Sequence, residues 1–198
     1  MSLETILALS IFAVVTSITP GPNNTMLLAS GVNFGYIRAL PHMVGIGAGF
    51  FSLLIGVGFG LGALIVSFPA VHLFLKIAGS AYLVWIAWQI GSARSMGEVK
   101  ETGLKPMTFI QAAAFQWINP KAWFMAITAM TTYADPARPF LSVLLVGSVF
   151  AVINMPTVST WAAFGSVMRG WLSDPVRLKW FNISMAVLLL CSLWPLLT

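Results

Sequence analysis

The stretch ITPGPNN, residues 18–24, interrupts a run that is otherwise apolar. It places two prolines and a glycine, the poorest helix formers, inside a segment from about 3 to 30 that is long enough to cross a bilayer. Each proline removes a backbone donor and crowds the preceding turn, so we predict that a membrane helix breaks here. A break leaves unpaired backbone groups, which a membrane tolerates only beside protein or a water-filled cavity.

The composition places this break in a membrane protein. Of the 198 residues, 59% are hydrophobic and 8% are charged, which is too little charge to cover the surface of a soluble domain. The chain has six apolar runs of membrane-spanning length, at about 3 to 30, 39 to 66, 70 to 92, 108 to 132, 140 to 166 and 177 to 197. These runs lack the alternation of apolar and polar residues that is typical of transmembrane β-strands. We predict a single all-α transmembrane domain of six helices.

The second half of the chain repeats the pattern of the first. Residues 18–21, ITPG, recur as residues 118–121, INPK, and the longest polar stretch separates three apolar runs from three. An odd number of spans in each half makes the second half enter the membrane from the opposite side. We predict two inverted three-helix repeats, about 1–92 and about 108–198, joined by a cytoplasmic connector at 93–107, with spans 1 and 4 broken at proline. Many secondary transporters have this layout.

The distribution of cations predicts the orientation. If the N-terminus lies outside, the inner loops hold Arg38, Arg94, Lys100, Lys105, Arg169, Arg177 and Lys179, whereas the outer loops hold Arg138. The positive-inside rule then places both termini on the outer side of the membrane. This rule accounts for the net charge of +5 without a nucleic-acid partner.

Two further lysines fall inside predicted spans. Lys121 is roughly 18 Å of helix from either end of its span, too far for its amine to reach the interface. A lysine at such depth is expected to face a cavity or a partner, and a substrate carboxylate is the attractive partner because the spans offer no acid. Lys76 is only roughly 9 Å from the outer end of its span. It either contributes to a substrate pathway or extends its amine to the membrane interface.

The predicted substrate site combines the two breaks with polar residues near them. We expect Asn23 and Asn24 to cap the restarted half-helix, whose free N–H groups would attract a carboxylate. Tyr82 and Gln116 are further candidates, although polar groups between membrane helices also serve in packing. The alternative is a proline kink that only fits the helix to its neighbours. The full set is Pro20, Gly21, Pro22, Asn23, Asn24, Lys76, Tyr82, Gln116, Asn119, Pro120 and Lys121.

The remaining sequence features indicate helix packing, and they argue against metal binding and enzymatic activity. A stripe of small residues in span 2, Gly45, Gly49, Ser52, Gly56 and Gly60, is a close-packing face for another helix or for a second copy of the chain. His42 lies near a predicted span end, where an interfacial hydrogen bond is the expected role. The spans hold no cluster of metal ligands, and Cys191 has no cysteine partner. We predict no metal, no cofactor and no enzymatic activity; a passive channel and a scaffold subunit are the alternatives to a transporter.

Three blocks of the chain resemble the LysE/RhtB family of amino-acid exporters. They are residues 19–23 followed by Gly35 and Gly45, residues 75–83, and residues 119–122. The chain is most similar to the cysteine/O-acetylserine branch, over 71–90 and 106–126. The resemblance implies a bacterial inner-membrane protein that exports a small neutral amino acid, cysteine/O-acetylserine-like or homoserine/threonine-like, with the proton as coupling ion. Many relatives have an acidic residue where this chain has Phe50-Phe51-Ser52. A carboxylate that carries the proton can therefore not be assigned to this chain from the resemblance.

Overall fold

The fold is described by a computed structural model that covers residues 1–62, 67–96 and 105–194, and the regular elements in these ranges are helical. The α-helices are α1 (Leu3–Ile18), α2 (Pro22–Phe34), α3 (Tyr36–Gly56), α4 (Pro69–Ser92), α5 (Phe109–Ile118), α6 (Pro120–Tyr133), α7 (Pro139–Met168) and α8 (Pro175–Cys191). A π-helical segment, Val57–Leu61, extends α3, and a 3₁₀ turn, Trp171–Ser173, precedes α8. The predicted all-α membrane fold is confirmed.

The longest helices have the length and composition of membrane spans. These are Tyr36–Leu61, Leu73–Ser92 and Pro139–Met168. Helices α1 and α2, with a bend of 57° between them, have the length and composition of a fourth span when taken as one unit. Large apolar side chains such as Ile110 and Val152 are about three-quarters exposed, as expected of a surface that contacts lipid. The six-span count stays a prediction. The predicted end of span 2 at 66, most of the connector with Lys100, and residues 195–198 lie outside the described residues.

Both predicted helix interruptions are present. The first span changes direction over residues 19–21, between the end of α1 and the start of α2. The second interruption is a single extended residue, Asn119, between α5 and α6. Pro22 and Pro120 each occupy the first position of the helix that follows, where the missing N–H has no intrahelical partner to lose. The prolines therefore separate the half-helices at no cost in hydrogen bonds.

Glycines bring helices of the two halves into backbone contact. A Cβ atom at Gly31 of α2 would collide with the backbone of α7, and one at Gly165 of α7 would collide with the backbone of α2. Gly45 and Gly49 of α3 face the backbone of α5 in the same way. This part of the predicted small-residue stripe therefore serves contacts within the chain.

The first and second spans of each half pack against the other half. α1 and α2 contact α7, and α3 contacts α5 and α6, whereas α4 packs on α8. The largest apolar core, between α1, α3, α6 and α7, contains Leu9, Leu53, Ala126 and Phe150. The two interruptions meet between these helices, where Lys121 of α6 reaches Thr19 at the end of α1. The repeat boundaries themselves stay a prediction.

Candidate functional site

Side chains from other helices satisfy the carbonyl groups at the end of α1. The amide of Asn24 donates to the carbonyl oxygens of Ser17 (2.7 Å) and Thr19 (2.8 Å). The indole of Trp161, on α7, donates to the carbonyl oxygen of Ile18 (3.2 Å). Because lipid offers no donors to these groups, a broken membrane helix depends on such partners. The interruption between α1 and α2 is thus stabilised by specific side chains.

The amine of Lys121 completes this arrangement from α6. Its Nζ atom lies 2.7 Å from the carbonyl oxygen and 3.1 Å from the hydroxyl of Thr19, and 3.4 Å from the carbonyl oxygen of Pro20. The last carbonyls of a helix are the negative end of its dipole, so a cation is favourable there. A Cβ atom at Gly21 would lie 2.9 Å from the Cδ atom of Lys121; the absence of a side chain at Gly21 leaves room for the lysine.

A pair of amides joins the two halves beside the lysine. Asn23 Nδ2 donates to Gln116 Oε1 (2.8 Å), and Gln116 Nε2 donates back to Asn23 Oδ1 (3.1 Å). Gln116 is fully buried, and its Nε2 also donates to the carbonyl oxygen of Ala112 (3.0 Å). The reciprocal pair fixes α2 against α5 at the level of both breaks.

The expected capping by Asn23 and Asn24 is wrong. No side chain caps the N-terminus of α2, because both asparagines lie inside its first turn and bond to α5 and α1 instead. Capping does occur at the second break, where Asn119 Oδ1 accepts from the backbone N–H of Lys121 (3.1 Å). The first break therefore presents a capped helix C-terminus, with Lys121 bound to its carbonyls, where the sequence suggested an open N-terminus.

The space beside Lys121 is small. The residues of both breaks surround a cavity of about 20 Å³, which holds about one water molecule. Asn154 of α7 also lines this space and donates to the hydroxyl of Ser17 (3.2 Å). A space of this volume is too small for a molecule the size of an amino acid.

A larger cavity of about 250 Å³ lies between α2, α3, α4 and the start of α5, at the end of the molecule where the connector joins α4 and α5. Tyr82 lines this cavity and not the space around Lys121. Lys76, half-buried on α4, lines neither of the two. The structure thus gathers the predicted residues of the breaks with Gln116, and separates Tyr82 and Lys76 from them.

His42 also lines the larger cavity, and its expected interfacial role is wrong. Its side chain is 1% exposed, and its Nδ1 atom lies 3.2 Å from the hydroxyl of Ser30. Three residues later on the same helix face is Gly45, which packs against α5. This spacing relative to the small-residue stripe is the sequence signal that could have predicted burial of the imidazole.

Comparison with known proteins agrees with a membrane translocator. The family model of the LysE type translocators matches residues 14–192. The cysteine/O-acetylserine efflux protein of Escherichia coli (strain K12) is 33% identical over 184 residues, and that of Escherichia coli O139:H28 (strain E24377A / ETEC) is 32% identical over 185. Each alignment covers 90% of both chains. No solved structure gives a significant match.

These matches extend over nearly all of the six predicted apolar runs and over both helix breaks. The predicted resemblance to this family and to its cysteine/O-acetylserine branch is confirmed. The chain belongs to the LysE type translocator family.

Proposed function

We propose that this protein exports a small neutral amino acid or derivative across a bacterial inner membrane. The substrate is of the cysteine/O-acetylserine or the homoserine/threonine type, and its export is coupled to proton entry. Membership in a translocator family and the names of relatives such as the efflux protein of strain K12 support this proposal. The observation that carries it is the Lys121 amine held between the two interrupted helices.

The contacts of Lys121 match the charges of an amino acid. The amine binds the carbonyl oxygens of Thr19 and Pro20, which are acceptors that an ammonium group also uses. When the site opens, the substrate carboxylate takes the lysine amine and the substrate ammonium takes the carbonyls that the lysine releases. Each charge keeps a partner during this exchange, so no charged group is left unpaired in a poorly hydrated site.

The positions of the contacts support a mechanism of alternating access. The bonds from Lys121 to Thr19 and between Asn23 and Gln116 both join the first half of the chain to the second. Rocking of the halves about the breaks would separate these partners and enlarge the 20 Å³ space on one side of the membrane at a time. Inverted-repeat transporters move in this manner.

Inside-out vesicles test the proposal. We expect saturable uptake of labelled O-acetylserine, cysteine, homoserine or threonine, with a higher rate when a pH gradient is imposed. Uptake that rises linearly with concentration and does not saturate would indicate a passive channel. Absence of uptake of any amino acid, with the protein folded and inserted, would favour a scaffold subunit and overturn the exporter.

Replacement of Lys121 tests the role of its amine. Lys121→Gln removes the charge and should lower the uptake rate by at least about tenfold, the effect of losing roughly 1.4 kcal/mol of favourable interaction in the rate-limiting state. Lys76→Gln is the matched control, because it removes a second membrane lysine that lines neither cavity. An equal loss in both variants would give Lys76 a role in the pathway, and full activity of Lys121→Gln would remove the proposed role of its amine.

A further inference from the structure

Three residues in the wall of the 250 Å³ cavity carry polar atoms that none of the described residues satisfies. His42 Nε2, Asn33 Oδ1 and Tyr82 OH are enclosed and lack a hydrogen-bond partner among the residues that the structure describes. All three residues line the cavity. Buried polar atoms are nearly always paired, and the cavity is larger than an engineered 150 Å³ space that accepts benzene in another protein. Water or a guest molecule with complementary polar groups is therefore expected to bind there.

Neighbouring residues hold two of these groups in place. The Nδ1 atom of His42 lies 3.2 Å from the hydroxyl of Ser30. The amide nitrogen of Asn33 donates to the carbonyl oxygen of Ala29 (2.9 Å) and to Asn182 Oδ1 (3.2 Å). These bonds use the Nδ1 atom of the imidazole and the Nδ2 atom of the amide. The other ends, Nε2 and Oδ1, are left for a ligand.

The third group belongs to an aromatic cluster. The ring of Tyr82 lies 5.4 Å from that of Phe115 and 5.5 Å from that of Trp85, measured between centroids. Tyr82 and Trp85 are both part of the cavity wall. The rings give the cavity an apolar side next to the phenol, which suits a ligand with a short apolar or weakly polar side chain.

The unpaired groups complement the backbone of an α-amino acid. If the hydroxyl of Ser30 donates to Nδ1, the proton of the neutral imidazole of His42 is on Nε2. His42 and Tyr82 then offer two donors for a carboxylate, and Asn33 offers an acceptor for an ammonium. Small rotations of these side chains would bring the three atoms to the cavity surface.

The charges around the cavity indicate which amino acids it accepts. The described residues that line it include no aspartate or glutamate, and they include one cation, Lys105. The side chain of a basic amino acid would find no counter-charge among these residues. The cavity therefore favours neutral amino acids over lysine and arginine.

We propose that this cavity is a second binding site, in which a neutral α-amino acid binds from the connector side before it reaches Lys121. The proposal rests on the proposed export function. Helix α2 connects the two sites, since Asn23 borders the space around Lys121 and Ser30 lines the cavity, roughly 10 Å further along the helix. The amide pair of Asn23 and Gln116 separates the sites, and its opening would let the substrate pass.

Protection of a cysteine tests occupancy without changing the three buried groups. Gln89 lines the cavity and is partly exposed, so Gln89→Cys in a Cys191→Ser background should react with an impermeant maleimide in inside-out vesicles. O-Acetylserine or threonine should slow this reaction at least threefold, whereas lysine should not. Ser173→Cys is the control, because Ser173 is exposed, follows Leu172, which packs with Met96 at the same end, and does not line the cavity.

Substitutions of two residues that line the cavity give a second test, measured as the half-saturation concentration of uptake. Asn33→Leu removes the acceptor and His42→Phe removes the donor, and each should raise the half-saturation concentration of O-acetylserine uptake by about tenfold, the loss of one hydrogen bond to a charged group. Unchanged half-saturation in both variants together with an unprotected cysteine at position 89 would overturn this site and leave the exporter intact. Protection without any wild-type uptake would retain the site and overturn export. Equal protection by lysine would contradict the selection by charge.

Discussion

At the scale of single residues, the absence of a side chain at Gly21 leaves the space that the Lys121 side chain occupies at the first break. A Cβ atom there would approach the lysine stem to 2.9 Å and its Nζ atom to 3.2 Å. Gly21→Ala should therefore displace the Lys121 amine from the α1 carbonyls and slow uptake by roughly tenfold, the equivalent of about 1.4 kcal/mol. The backbone of Gly21 is extended, so the effect comes from crowding and not from backbone strain. Initial uptake rates in vesicles measure it.

Gly47→Ala is the control for this substitution. A Cβ atom at Gly47 would meet no atom within 4 Å, and alanine favours a helix more than glycine does. We expect wild-type uptake and an equal or higher thermal midpoint for this variant. If Gly21→Ala transports as well as Gly47→Ala, the position of the lysine stem does not matter for transport.

At the scale of elements, Pro120 keeps α5 and α6 apart. An alanine at this position restores an N–H that could donate to the carbonyl of Gln116 and continue one helix through both elements. Pro120→Ala should leave the thermal midpoint in detergent unchanged or higher. It should also reduce uptake, because a continuous helix would turn Lys121 away from the end of α1. Uptake and thermal unfolding of the same preparation separate these effects.

A proline at the start of another helix provides the comparison. Pro139 occupies the first turn of α7 after an exposed loop, where its replacement joins no two helices. Pro139→Ala should keep wild-type uptake. Full uptake by Pro120→Ala would mean that transport does not need the second interruption.

At the scale of the whole molecule, the positive-inside rule predicts which end of the helices faces the cytoplasm. The loop that contains Ala137 and Arg138 should lie outside, and the turn that contains Ser173 should lie inside. In a Cys191→Ser background, an impermeant maleimide should label Ala137→Cys in intact cells and Ser173→Cys only in inside-out vesicles. The reverse pattern would invert the orientation and place the 250 Å³ cavity on the periplasmic side.

The sequence by itself determined that the chain lies in a membrane, that it is helical, and where two of its spans are interrupted. These properties depend on neighbouring residues, because apolar length sets membrane insertion and proline acts on its own turn. The sequence also predicts that Lys121 lies too deep in the membrane for its amine to reach the interface. It could not identify the acceptors of that lysine, since Thr19 and Lys121 are separated by 102 positions.

The tertiary structure alone decided how each polar group at the breaks is paired. Asn24 binds the end of α1 instead of capping α2, and Trp161 reaches Ile18 across 143 positions. The burial of His42 and the separation of Tyr82 from Lys121 are also set by helix packing. Helix propensity and hydropathy are local, whereas hydrogen-bond partners depend on which helices come into contact. Those contacts include the close glycine approaches between α2 and α7 and between α3 and α5.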